Sequence, residues 1–148
     1  NGGSLTFAPS IPGHVEHRQL SNNSLNVMAG CFLACTSGVN IKAIFGGLKA
    51  FFSGEGAFLL EASGSGDLFF NSFGGIVKKE INGEFIVDTG HVVAFDSSLN
   101  YSITGMGNFK STMLSGEGLV MKFKGAGTLY LQTRNVSSVA SWLTPRLL

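Results

Sequence analysis

Charge is scarce in this sequence. Of 148 residues only 13% are Asp, Glu, Lys or Arg, while 44% are hydrophobic. Soluble domains carry about 25% charged residues, so much apolar area must be buried inside the molecule or between copies of it, and a homo-oligomer is expected. The net charge of +1 gives no bulk attraction for a polyanion. Cysteine is rare as well. Cys31 and Cys35 would lie about 13 Å apart in an extended segment, too far for a disulfide, and they read as small core residues rather than metal or redox groups. No apolar run approaches the roughly 18 residues of a membrane span, and the N-terminus shows no signal-peptide pattern. A cytoplasmic protein is therefore expected. The chain begins at Asn rather than Met, as a processed or trimmed form of a longer protein would.

Against these shortages stand 21 glycines, 13 phenylalanines and only three prolines, a balance that suits many short strands joined by tight turns. Ser53-Gly54-Glu55-Gly56 recurs letter for letter as Ser115-Gly116-Glu117-Gly118. Each copy follows an apolar, Lys-containing run and precedes a strand-like run with a Gly-x-Gly turn, at Gly64-Ser65-Gly66 and Gly125-Ala126-Gly127. Upstream, Val27, Gly30, Ala34 and Asn40 match Val87, Gly90, Ala94 and Asn100 at one common spacing. The pattern predicts a single all-β domain of two repeats, approximately 5–66 and 67–133, because a repeated β unit of this size closes a core only by stacking on its copy.

Within the first repeat, Leu5–Ala8 reads as a short strand ended by Pro9 and Pro12-Gly13. Val15–Leu20 reads as a second, and Ser21-Asn22-Asn23-Ser24 as a loop. Leu25–Met28 and Cys31–Cys35 follow as strands around an Ala29-Gly30 turn, and Val39, Ile41 and Ala43 alternate with polar residues, predicting one buried face. In the second repeat, Asn82-Gly83 is the strongest hairpin signal, between Val77–Ile81 and Phe85–Val87. His91–Phe95 is a strand, and Leu99, Tyr101 and Ile103 alternate with polar residues. Leu119, Met121 and Phe123 begin another strand. Val136, Val139, Ala140 and Leu143 fall at helical spacing, with Asn135 as cap and Pro145 as stop, predicting one helix over 135–144. Trp142 lies off that stripe, placed either to meet a neighbouring subunit or to cover a sheet edge.

The motifs Ala8-Pro9-x2-Pro12-Gly13, Phe32-Leu33-Ala34, Gly54-Glu55-Gly56, Val87-Asp88-Thr89-Gly90-His91-x2-Ala94-Phe95, Gly116-Glu117-Gly118 and Gly125-x-Gly127, in that order, resemble the altered-inheritance-of-mitochondria (mitochondrial biogenesis) family. The resemblance implies a fold like that of the tryptophan RNA-binding attenuation protein: a short double-stranded β-helix or flattened barrel, duplicated within the chain, with subunits assembled in a ring, a trimer being favoured. Mitochondrial relatives are linked to inner-membrane organisation. The resemblance carries over no catalytic residue.

Candidate chemistry is thin. Glu55 and Glu117 could form an acid/base pair, but their flanking glycines fit a turn whose carboxylates accept backbone hydrogen bonds, and that reading is preferred. The Gly-x-Gly motifs lack the Lys-Ser/Thr and helix of a phosphate-binding loop. His14, His17 and His91 are too few and too scattered for the converging ligands of a cupin-like metal enzyme. Lys42, Lys49, Lys78, Lys79, Lys110, Lys122 and Lys124, with aromatics among them, could line a rim for single-stranded RNA, or equally form solvated strand faces. The expectation is thus a non-enzymatic oligomeric scaffold or interaction module, with no catalytic, cofactor or metal residues and with itself or another protein as partner. A small-ligand or RNA-binding module with sites between subunits is the alternative, and a cupin-like metal-dependent enzyme ranks last.

Overall fold

The computed structural model describes residues 2–45, 58–105 and 119–147. Both Ser-Gly-Glu-Gly copies, with Glu55, Glu117, Lys49 and Lys110, lie outside the described residues. Within them are eight strands: β1 (Val15–Met28), β2 (Phe32–Cys35), β3 (Val39–Phe45), β4 (Phe58–Asn71), β5 (Ile76–Asp88), β6 (Val92–Asp96), β7 (Asn100–Gly105) and β8 (Leu119–Gln132), followed by one helix, α1 (Val136–Leu143). The chain is all-β with a short C-terminal helix, and its strands make one antiparallel sheet that does not close into a barrel. Its main path runs β2-β4-β1-β6-β8-β5, with β3 also on β4 and β7 also on β8. The flattened barrel implied by the resemblance is therefore an open sheet in the single chain, because its end strands β2 and β5 do not pair with each other.

Four of the turn signals read from the sequence lie inside strands. Ser21-Asn22-Asn23-Ser24 belongs to β1 and Asn82-Gly83 to β5, so neither is a loop or hairpin, while Gly64-Ser65-Gly66 and Gly125-Ala126-Gly127 run through β4 and β8. The reason is that these residues face one another. Asn22, at a positive φ of 55°, forms a bulge beside Gly64 at 123°, and Gly83 at 122° pairs directly with Gly125 at 129°. Residues able to take such angles let a long ladder bend without breaking. The bulge is stitched by the Asn22 N–H donating to Ser65 Oγ at 3.1 Å, while that hydroxyl donates to Asn22 Oδ1 at 2.9 Å.

The two long ladders carry the other strands. β4 pairs with β1, β2 and β3, and β8 pairs with β5, β6 and β7. One short ladder joins the two groups: Leu25, Asn26 and Val27 of β1 lie opposite Asp96, Phe95 and Ala94 of β6. The cores interleave across this joint. Val93, Ala94 and Tyr130 pack among Leu20, Leu25, Val27, Leu68 and Phe70, whereas Leu59 reaches into the cluster of Ile81, Phe95, Leu99, Met121, Phe123 and Leu129. Edge-to-face contacts at 5.2 Å for Phe70–Tyr130 and 4.9 Å for Phe95–Phe123 add to the burial of these large side chains.

Other expectations fare unevenly. Leu5–Ala8 is not a strand, since residues 2–12 contain none, and Leu5 and Phe7 are exposed; Pro9 and Pro12, which lack an N–H, remove donors a ladder would need. The predicted strands at β2, β6, β7 and β8 are present. On β3 only Val39 of the alternating set is buried, Ile41 and Ala43 being exposed, because nothing among the described residues covers that end of the strand. The helix forms as read, with Asn135 Oδ1 accepting from the N–H groups of Ser137 and Ser138 at 2.9 and 3.3 Å. Its apolar stripe is nevertheless exposed.

Gly64 and Gly83 share a backbone angle but not a setting. A Cβ on Gly64 would collide with the Gly38 carbonyl oxygen, whereas one on Gly83 meets nothing within 4 Å. Gly83→Ala is expected to cost roughly 1–3 kcal/mol of backbone strain, and Gly64→Ala clearly more, as read from urea unfolding midpoints. Equal losses would contradict the close approach of the 36–39 loop to β4.

Candidate functional site

Where the two halves meet, the chain's sparse charges gather into a seam. Strand alternation places Glu16 and Arg18 on one face of β1, Lys78 on β5, Asp96 at the end of β6, and Thr128 and Tyr130 on β8. Arg18 Nη1 donates to the Tyr130 hydroxyl at 2.8 Å, and Nη2 to Asp96 Oδ1 at 3.4 Å. Asp96 Oδ2 accepts the Thr128 N–H at 2.8 Å. Lys78 Nζ donates to Glu16 Oε1 at 2.6 Å, and the Glu16 carboxylate holds that ammonium above its usual range. Such a raised value favours the folded state below the lysine's ordinary titration range and is lost as pH rises through the folded value; with Lys78 exposed the effect is small. Each charge in the seam faces an acceptor or donor within the chain, so the seam ties β1, β5, β6 and β8 together.

Four of the described rim lysines also have partners within the chain. Lys122 and Lys124 lie 2.9 and 3.6 Å from Glu84, whose carboxyl Lys122 holds below the usual carboxylate range, and Lys79 sits over the Phe85 ring. The histidines do not converge. His14 lies 3.6 Å from Glu16, His17 contacts Asp67 at 2.8 Å while stacked on Phe69, and His91 Nδ1 meets the Gln132 carbonyl oxygen at 2.8 Å. Among the described residues no group of three or more His, Cys, Asp or Glu is placed to hold a metal ion. Cys31 is buried, and that burial pushes its thiol up to about 11, which keeps it protonated and unreactive at neutral pH. Cys35 is half-buried, its thiol 3.8 Å from the Val39 carbonyl.

Among the described residues lies a cleft with room for a small ligand. It holds about 350 Å³ between the end of β8 and the start of α1, lined by His91, Arg134, Ser138, Val139 and Trp142, with Thr133 and Asn135. Next to Thr133 in sequence, Gln132 donates its side-chain amide to the Gly90 carbonyl at 2.7 Å while its Oε1 accepts the Phe73 N–H at 2.9 Å. An apolar wall beside a guanidinium and an imidazole suits a small molecule with an apolar body and an anionic end. Trp142 walls this cleft, with the Arg146 guanidinium 4.3 Å from its ring. Of the cleft's residues the sequence reading singled out only His91, Asn135, Val139 and Trp142, and none of them for a site. It missed Arg18, Asp96 and Tyr130 altogether, since these lie far apart in the chain and share no local pattern.

The fold and the seam define an all-β protein of one antiparallel sheet whose seam charges pair with each other. The chain belongs to the mitochondrial biogenesis AIM24 family, whose model matches residues 1–134. It is 33% identical over 144 residues to an uncharacterized protein of Streptococcus pyogenes serotype M6, covering 95% of this chain and 58% of that one. A Streptococcus pyogenes protein solved by X-ray crystallography superposes with a TM-score of 0.82 at 32% identity, over 95% of this chain and 63% of that chain. The chain thus spans about three-fifths of the length of these relatives. No helix among the described residues is long and apolar enough to cross a membrane.

Asp96 is the seam carboxylate that binds both a side chain and the backbone of another strand. Asp96→Ala leaves the Thr128 N–H without its acceptor and Arg18 with only the Tyr130 hydroxyl, and is expected to cost about 1–3 kcal/mol, read as a lowered denaturation midpoint. Glu84→Ala, which removes only exposed ion pairs, is expected to leave the midpoint nearly unchanged. The reverse order would contradict a structural role for the seam.

Proposed function

We propose that this protein is a non-enzymatic oligomeric scaffold or interaction module, built from two copies of one β unit and acting through contacts with further copies of itself and with protein partners. The observation that carries this reading is unsatisfied edge and surface. β5 pairs only with β8, so along 76–88 one side of its backbone has no strand partner among the described residues, and Val77 and Ile86 on it are exposed. Long exposed edges with apolar side chains are a liability in a monomer and an assembly surface in an oligomer. The exposed Val136, Trp142 and Leu143 of α1 extend the same argument. A trimeric ring, six units in all, is the favoured assembly.

The two repeats, approximately 5–66 and 67–133, are read as one β unit used twice, with β4 running past their boundary to Asn71. Their likeness is supported by the pairing itself: β1, β2 and β3 stand to β4 as β5, β6 and β7 stand to β8. A second reading, a binding module for a small ligand, is favoured by the cleft at His91 and Arg134. Single-stranded RNA draws less support, because Lys78, Lys122 and Lys124 already face carboxylates.

Native mass spectrometry of gently purified, untagged protein tests both readings. A mass at a whole multiple of the chain, three times it for the favoured ring, is expected, with no added mass under the scaffold reading. A reproducible extra mass per subunit would move the conclusion to the ligand-binding module. A plain monomer would contradict the proposal.

A further inference from the structure

The joint between the two halves has a counterpart that the single chain leaves open. β1 is paired on both sides at Leu25–Val27, with Ala62–Leu60 of β4 on one side and Asp96–Ala94 of β6 on the other. Following the ladders, the residues that stand to β8 as Leu25, Asn26 and Val27 stand to β4 are Phe85, Ile86 and Val87 of β5. Likewise, the residues that stand to β4 as Ala94 and Phe95 stand to β8 are Ala34 and Cys35 of β2, with Thr36 following as Asp96 does. A side-chain bond supports this correspondence: the Asp67 N–H donates to Thr36 Oγ1 at 2.9 Å, as the Thr128 N–H donates to Asp96 Oδ2 at 2.8 Å.

Burial differs between the two places in the manner a missing neighbour would produce. Leu25, Val27, Ala94 and Phe95 are fully buried and Asn26 is only 7% exposed. At the corresponding positions Ile86 is 57% exposed, Phe85, Val87, Ala34 and Cys35 are half-buried, and Thr36 is exposed. Neither β5 nor β2 has a second strand partner among the described residues. Among the described residues the two open edges, which end opposite sides of the sheet, do not pair with each other.

We propose that they satisfy each other between chains: β5 of one copy pairs antiparallel with β2 of the next, Phe85 opposite the partner subunit's Thr36, Ile86 opposite the partner subunit's Cys35, and Val87 opposite the partner subunit's Ala34. The contact repeats the β1–β6 joint, so the alternation of paired units continues from chain to chain. It is heterologous, each copy giving one edge and receiving the other, and such contacts generate a ring when the rotation closes. The chemistry suits it. Exposed Ile86 meets the half-buried thiol of Cys35, no charged side chain stands within either three-residue stretch, and open backbone N–H and C=O groups are available on both edges. This inference rests on the oligomeric reading above and specifies its interface.

Cys35 makes the register directly testable. Residues opposite each other in an antiparallel ladder have Cα atoms about 4.5–5.5 Å apart, within the roughly 4.4–6.8 Å that a disulfide spans. In an Ile86→Cys variant treated with diamide, the introduced thiol and the partner's Cys35 each lose a proton and one electron to the diazene, which becomes the hydrazine as the S–S bond forms. Non-reducing denaturing gels are expected to show covalent multimers that collapse on reduction, are lost in the Ile86→Cys/Cys35→Ser double variant, and are not formed by Val77→Cys, which lies on the same strand outside the stretch. Multimers that persist without Cys35 would overturn the proposal, since the introduced thiol would then be meeting its own copy or Cys31 rather than the partner's Cys35. So would the absence of cross-linking in an Ile86→Cys protein whose native mass is multimeric. A monomeric native mass of the unmodified protein would remove the oligomeric reading itself, a result distinct from a wrong register.

Discussion

A ladder of three residues holds the two halves of this molecule together. Leu25, Asn26 and Val27 meet Asp96, Phe95 and Ala94, and the rest of the interior is arranged around that meeting. Main-chain pairing alone would be a weak joint, but here its side chains are core residues on both sides. Phe95 packs on Phe123 and Tyr101, Ala94 and Val93 pack among the first half's residues, and Arg18 reaches across to Tyr130 and Asp96. Burial supplies most of the free energy, at about 25 cal/mol per Å² of apolar area. The polar seam ties β1, β5, β6 and β8 together across that joint.

The second constraint is that each half is built on two strands of 13 or 14 residues, far longer than the usual five or six. Such strands serve a compact sheet only if they can bend, and each pair carries residues of positive φ at matching levels. Asn22 with Gly64 and Gly66, and Gly83 with Gly125, occupy those levels. The 36–39 loop leans on the first of them so closely that only glycine fits at 38 and 64. Flexible residues at the bends and large apolar residues between them give the low-charge, glycine-rich composition a structural cause.

This explains which parts of the fold were legible in the sequence. Strand alternation at Leu119–Phe123 and Leu99–Ile103, and the Asn135 cap with the apolar spacing of α1, are local patterns, and local patterns are visible in one chain. Asn82-Gly83 was misread for a physical reason. Its usual signal is a two-residue hairpin, but opposite another glycine it is a bend within a continuous ladder, and the opposing residue lies 42 positions away at Gly125. The same holds for Ser21–Ser24. The seam of Arg18, Asp96 and Tyr130 joins strands from both halves, so no spacing announced it, and the cleft at His91 depends on where α1 starts relative to the end of β8. Of the candidate groups, Glu55 and Glu117 lie outside the described residues, and the lysines that are described mostly face carboxylates or a ring.

The central claim is that β1–β6 within the chain and β5–β2 between chains are one joint used twice. Hydrogen exchange of the native protein reads this directly, because an amide bonded to a neighbouring strand exchanges far more slowly than one facing solvent at an edge. The account predicts that the outward-facing amides of 85–87 and 34–36 are protected to a degree comparable with those of 25–27 and 94–96. Fast exchange at 85–87 and 34–36 in the assembled protein, beside slow exchange at 25–27, would show that the joint is made once only and would contradict the account.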